Sequence, residues 1–179
     1  MIDYQTISVV FTGISLSLAA FYYINTLRNA QRTQQLTLET RQAQMFMGLY
    51  QRTITEEANR RWSDHMAMTW TDYDDFDRKY GPSSPDRLVK AHTLLQQFNG
   101  IGLLLMDGLI SREMAYRLAG GWRAVLLWLK WGPIIKELRE RYYNPDYMDG
   151  LEYLGEEMMK YREEKGLPNR LPEPFQSQI

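Results

Sequence analysis

The side chains that most often carry out chemistry in proteins are few and scattered in this chain. His65 and His92 are the only histidines. Ser63 precedes Asp64 and His65, but the glycines that flank a nucleophilic serine are missing. No Glu-x-x-His pair and no glycine-rich phosphate loop occurs. We therefore predict no catalytic residue, cofactor or metal. An enzyme with this sequence would need a pocket near His65 or His92 with converging acids.

The acidic segment 71–86 resembles a calcium loop only at first sight. An EF-hand loop that began at Asp72 would need an oxygen ligand at position 5, glycine at 6 and glutamate at 12. Those positions hold Phe76, Asp77 and Ser83. We predict instead a short capped turn with acids near its N-terminus, ended by the Gly-Pro pair that follows.

Composition limits the protein classes further. The chain has 179 residues, which is room for one domain besides a membrane anchor. Its formal net charge of −1 gives no field that would favour nucleic acid, so we predict no nucleic-acid partner. Cysteine is absent, which excludes disulfides, thiol catalysis and cysteine metal sites.

Residues 7–27 form an uncharged stretch, ISVVFTGISLSLAAFYYINTL. As a helix it would extend for roughly 30 Å, which matches the hydrocarbon core of a bilayer. The alternatives are a buried core helix and a cleaved signal peptide. A core helix would carry a polar stripe, and a signal peptide would begin with basic residues, whereas only Asp3 is charged here. We interpret the stretch as a transmembrane helix in contact with membrane lipids.

Charge and aromatic residues predict the orientation of this span. No lysine or arginine precedes it, and arginines follow it closely. The positive-inside rule then places the N-terminus outside and the C-terminal domain in the cytoplasm, in an inner (cytoplasmic) membrane crossed once. The residues expected at the headgroups are Tyr22, Tyr23, Arg28 and Arg32.

One face of the span is predicted to contact another helix. Gly13 and Ser17 form a small-xxx-small pair, and Ala20 lies close to the same face. The alternative is that small residues are simply common in membrane helices. The pattern does not distinguish a second copy of the chain from a different subunit, so a homo-oligomer stays possible.

The remaining sequence predicts an all-α protein, because strand patterns are missing. No proline occurs between the span and Pro82, so we expect the membrane helix to continue from Asn25 to about Trp70 as a stalk that ends in a docking face. The predicted parts are an anchor (1–27), a helical stalk and docking helix (28–70), a helical bundle (71–166) and a proline-rich extended tail (167–179).

Helix signals divide the bundle. Gly100 and Gly102 indicate close packing of another helix. The predicted helices run from Ser84-Pro85-Asp86 to about Met106, from Ser111 to about Ala119, from Pro133 to about Tyr142, and from Asn144-Pro145-Asp146 to Gly166.

Residues 122–131, WRAVLLWLKW, are the most apolar part of the chain after the anchor. They are too few to span a membrane and are followed by Gly132-Pro133, which we expect to end the helix. A helix buried in the core is the first interpretation. The alternative is an exposed face that touches lipid or a partner protein through Trp122, Trp128 and Trp131.

The run Phe98-Asn99-Gly100-Ile101-Gly102-Leu103, with Asp107-Gly108-Leu109-Ile110 and then Trp128, Pro133 and Arg139, resembles a family of prokaryotic single-pass helical proteins known only as a domain of unknown function. The resemblance implies an N-terminal membrane helix, a stalk and a small cytoplasmic helical body. It supplies no activity and no catalytic residue.

These features predict a non-enzymatic, membrane-anchored accessory or scaffolding subunit of a larger membrane complex, with an energy-transducing assembly as one candidate host. The alternative is a self-associating receptor or signalling adaptor that binds a soluble partner through its helical body. A subunit should co-purify with other membrane proteins at fixed stoichiometry, whereas an adaptor should behave as a homo-oligomer that depends on Gly13 and Ser17.

Overall fold

The computed structural model describes residues 3–81 and 84–169. That part of the chain contains seven α-helices and no strand, which confirms the all-α prediction. Residues 170–179 of the predicted extended tail lie outside the described residues. The helices are α1 (Tyr4–Thr53), α2 (Glu56–Ala67), α3 (Tyr73–Tyr80), α4 (Pro85–Met106), α5 (Arg112–Leu118), α6 (Trp122–Arg141) and α7 (Asp149–Glu164).

The chain divides into two compact units, Met1–Met45 and Phe46–Ile179. The first unit consists of most of α1. Its described side chains are exposed except for the half-buried Asn25 and Met45. Its polar part is rich in good helix formers, and hydroxyls of Thr37 and Thr40 bond back to carbonyls four residues earlier, at 2.8 Å each.

The second unit begins with residues 46–53, the end of α1. The predicted continuous helix to Trp70 is wrong, because α1 ends at Thr53 and a separate α2 begins at Glu56. The Thr55 hydroxyl accepts a hydrogen bond from the Ala58 amide at 3.1 Å and so caps α2. Threonine followed by two glutamates is a helix start, and it divides the two helices although neither proline nor glycine lies between them.

Three other helix starts follow the sequence signals. The Asp72 carboxylate caps α3 by accepting from the Asp75 amide at 2.8 Å, and the Ser111 hydroxyl caps α5 by accepting from the Met114 amide at 3.2 Å. Pro85 occupies the first turn of α4, where its missing N–H costs nothing. The acidic segment, predicted as a short capped turn, therefore forms the capped helix α3.

Helices α4 and α7 touch backbone to backbone. A Cβ on Gly102 would lie 1.7 Å from the Gly150 carbonyl oxygen, so only glycine fits there. A Cβ on Gly100, in contrast, would have nothing within 4 Å. Close helix packing is confirmed at Gly102 and is wrong at Gly100.

Helix α6 does not stop at Gly132-Pro133, which corrects the prediction that a new helix begins there. It continues through Pro133 to Arg141. A proline inside a helix costs ~3 kcal/mol, but burial of a large apolar side chain contributes ~1.5–3 kcal/mol. Trp131, Ile134 and Ile135 are all buried around the proline, which is itself exposed, and their burial outweighs the lost hydrogen bond.

Helix α7 begins at Asp149, later than the predicted start at Asn144-Pro145-Asp146. Tyr143 and Met148 adopt left-handed backbone conformations with φ of 50° and 59°, and residues 142–143 and 145–148 form turns. The Arg139 Nε atom donates to the Tyr147 carbonyl at 2.8 Å, and the same guanidinium pairs with Glu152. A side chain of α6 thus holds the turn before α7, which local sequence could not reveal.

Candidate functional site

The first candidate site is the surface of residues 8–27, which lie in α1. Among the described helices, α1 is the one that is long and apolar enough to cross a membrane. None of its apolar stretch is buried. The relative exposure is 72% for Val9, 68% for Phe11 and 73% for Leu16. A helix that is apolar on every side and covered by nothing fits lipid better than water.

Three hydroxyl side chains of this segment form hydrogen bonds within their own helix. The hydroxyls of Thr12, Ser17 and Thr26 donate to the carbonyls of Ser8, Gly13 and Tyr22 at 2.8–2.9 Å. Such bonds remove the cost of carrying a hydroxyl in hydrocarbon.

The predicted helix-contact face is open. Gly13, Ser17 and Ala20 are exposed, and nothing lies within 4 Å of a Cβ placed on Gly13. The predicted headgroup residues Tyr22, Tyr23, Arg28 and Arg32 are exposed too. Within the described part of the chain, both sets of side chains are therefore open to an external partner.

The tryptophans predicted as a partner face take different positions. Trp131 is 1% exposed and Trp128 7%, so these two belong to the core and the partner-face alternative is wrong for them. The Trp131 ring lies 4.8 Å from Trp70 and 5.6 Å from Phe76 between ring centroids. Trp122 is half-buried and lines an open groove described below.

His65 has a structural position. It is 1% exposed, and its Nδ1 and Nε2 atoms lie 3.0 Å and 2.7 Å from the carbonyl oxygens of Arg61 and Ala91. The ring therefore joins α2 to α4.

His92 lines a cleft of about 280 Å³ with mainly apolar walls. Its Nε2 atom is 3.0 Å from the Tyr147 hydroxyl. Burial lowers the pKa of His92 and raises the pKa of Tyr147 to about 12, so both are neutral at pH 7. Among the described wall residues Asp77 alone carries a carboxylate, and no group of three or more His, Asp or Glu that could hold a metal occurs in the described ranges.

Lys130 is a buried charged residue that sequence analysis missed. It is 3% exposed, its Nζ atom donates to the Met66 carbonyl at 2.6 Å, and it lies 5.4 Å from the Trp70 ring centroid. Burial lowers the pKa of Lys130 to about 8. The sequence signal that could have indicated its burial is its position within the apolar run 122–131.

The second candidate site is an open groove of about 730 Å³ within the second unit, named here the aromatic groove. The Phe46 and Tyr50 rings at the end of α1 stack with centroids 5.7 Å apart. Arg162 lies over the Trp122 ring, with its Cζ 4.2 Å from the centroid. The groove is lined by Phe46, Tyr50, Tyr116, Arg117, Gly120, Gly121, Trp122 and Arg162. Four separate segments supply these residues, so sequence spacing did not predict the groove.

Comparison with known proteins identifies a family. Residues 8–158 match the model of the family described as Domain of unknown function (DUF4760). This match covers most of the chain, and the protein belongs to that family. No curated protein and no solved structure matches the chain.

Proposed function

We propose that this protein is a single-pass, membrane-anchored and non-catalytic accessory or scaffolding subunit of a larger membrane protein complex. The observation that carries the proposal is the exposed apolar surface of residues 8–27. In water this surface would be hydrated at a large free-energy cost, and nothing in the described chain covers it.

The orientation follows from the arginines. Arg28 and Arg32 are exposed after the apolar segment, and no basic residue precedes it. We place the N-terminus outside and the helical body in the cytoplasm of a prokaryotic cell, at its inner membrane. Arg28 and Arg32 would then meet anionic headgroups, and Tyr22 and Tyr23 would lie at the interface.

A role as a subunit is supported by the open face of Gly13, Ser17 and Ala20. Small residues let two membrane helices approach closely, and the Ser17 hydroxyl already has a backbone acceptor, so packing there leaves no unpaired polar group. Neither candidate site presents a set of converging acids among the described residues, which favours an interaction role over catalysis.

The test is gentle detergent extraction of the native chain, followed by native mass measurement and identification of the proteins that travel with it. We expect a defined set of other membrane proteins at fixed stoichiometry. Gly13→Leu should release them, because a bulky side chain blocks close approach. Ser15→Leu, which enlarges a small residue on the opposite side of the helix, is the matched control and should retain them.

Two results would contradict the proposal. A chain that travels alone would exclude a stable complex. A homo-oligomer that dissociates in Gly13→Leu but not in Ser15→Leu would favour the self-associating adaptor instead.

A further inference from the structure

The aromatic groove is a surface that the described fold leaves open. Phe46 and Tyr50 present apolar rings at the end of α1, and Trp122 and Tyr116 face them from the bundle. Gly120 and Gly121, both with positive φ, form the turn between α5 and α6 at this groove and carry no side chain to fill it. Aromatic rings around an open channel are the usual means of binding a proline-rich segment.

The described chain ends beside this groove. The Arg162 side chain that covers Trp122 also donates to the Pro168 carbonyl at 2.8 Å and to Asn169 Oδ1 at 3.3 Å. The Asn169 amide nitrogen donates to the Met159 carbonyl at 2.9 Å. One wall residue of the groove therefore also fixes the point from which residues 170–179 continue.

The chemistry of residues 170–179 complements the groove. Their sequence, RLPEPFQSQI, contains two prolines beside a leucine and a phenylalanine. The segment begins with the basic Arg170 and carries Glu173 between its prolines, whereas the charged walls of the groove are the basic Arg117 and Arg162. The segment thus offers apolar groups to the rings and one acid to the guanidinium groups.

We propose that residues 170–179 of the same chain bind in the aromatic groove and join the end of α1 to the bundle. Because the segment starts at the groove, its effective concentration there is on the order of millimolar. With a weak dissociation constant of about 100 μM, the bound form of the tail would outnumber the free form by roughly tenfold. This inference does not rest on the proposed membrane role.

The experiment is photo-crosslinking in the full-length chain, purified in detergent, with benzoylphenylalanine in place of Phe175. We expect intramolecular cross-links to Phe46, Tyr50 or Trp122, with a yield that does not change on dilution. Cross-links elsewhere in the chain, a dimer whose yield falls on dilution, or cross-links to a different protein in native membranes would each overturn the proposal.

Charge reversal provides an independent check. Arg117→Glu should lower the ratio of bound to free tail by about threefold, the usual size of an exposed ion-pair effect, so the groove cross-link yield should fall by about 15%, and adding Glu173→Arg should restore it. Arg60→Glu is the matched control, because both arginines form exposed i,i+4 pairs, Arg60 with Glu56 and Arg117 with Glu113. Equal yields in Arg117→Glu and Arg60→Glu would contradict a charge contact with the tail.

Discussion

Lys130 places its amine inside the core of the second unit, where it contacts the Trp70 ring and the Met66 carbonyl group. Its pKa is about 8 in the folded chain against 10.5 in the unfolded chain. Between these values the unfolded state binds more protons, so the free energy of unfolding should rise as pH rises from 8 to 10.5. Allowing for solvent screening, we expect the free energy of unfolding to rise by roughly 2 kcal/mol over this pH range.

This rise in the free energy of unfolding can be measured by urea unfolding of the full chain in detergent, with tryptophan fluorescence as the readout. Lys130→Met should abolish the rise, because the substitution keeps the volume and removes the titrating group. Lys90→Met, at an exposed lysine, is the control and should keep the rise. A wild-type profile that stays flat from pH 8 to 10.5 would contradict the buried cation.

Asp75 should make the stability of the second unit depend on pH at the acid end of the range. Hydrogen bonds from Lys79 and Arg78, both 2.6 Å long, lower the pKa of this carboxyl to about 2 from 3.8. Its stabilising contribution is present above about pH 4 and is lost as pH falls from there to about 2. Acid unfolding should therefore begin at a higher pH in Asp75→Asn than in Asp74→Asn, whose parent residue is exposed. Coincident acid transitions would show that Asp75 adds nothing.

Single residues were predictable where their role is local. Asp72 and Ser111 cap helices through bonds to amides three residues later, which the sequence order alone specifies. The roles of Lys130 and His65 were not predictable. Their partners, Met66 and Ala91, are distant in the sequence and lie on other helices.

At the scale of elements, the packing of α4 against α7 requires a close backbone approach at Gly102. Gly102→Ala should destabilise the second unit by about 3 kcal/mol or more, because the added methyl group would overlap the Gly150 carbonyl. Gly100→Ala, two residues away in the same helix, meets open space and should stabilise by ~0.5–1 kcal/mol.

Thermal unfolding of both variants in the same detergent measures this difference. The expected order of midpoints, from highest to lowest, is Gly100→Ala, wild type, Gly102→Ala. Equal midpoints for the two alanine variants would mean that the helices do not touch at Gly102.

Helix boundaries that depend on local chemistry were predictable, and boundaries that depend on tertiary packing were not. Pro85 and Ser111 mark starts by chemistry within one turn. The continuation of α6 through Pro133 depends on burial of residues around it, and the late start of α7 depends on Arg139 from another helix. Tertiary packing decided both, so local signals gave the wrong boundary.

For the whole molecule, the all-α class and the apolar first helix were predictable, because both follow from composition and periodicity. The aromatic groove could not be predicted, since its walls come from α1, the α5–α6 region and α7. The candidate partner face was wrong at Trp128 and Trp131 because apolar richness alone does not distinguish a core from an interface.

The central claim is that residues 8–27 cross a membrane with the N-terminus outside. The chain has no cysteine, so Gln5→Cys and Ser63→Cys each create a single labelling site at an exposed position. The measurement is labelling of intact cells with a membrane-impermeant maleimide, before and after lysis. We predict that residue 5 is labelled in intact cells and that residue 63 is labelled only after lysis, with both variants retained in the membrane after an alkaline wash. Labelling of residue 63 in intact cells, or release of the chain by the wash, would contradict the account.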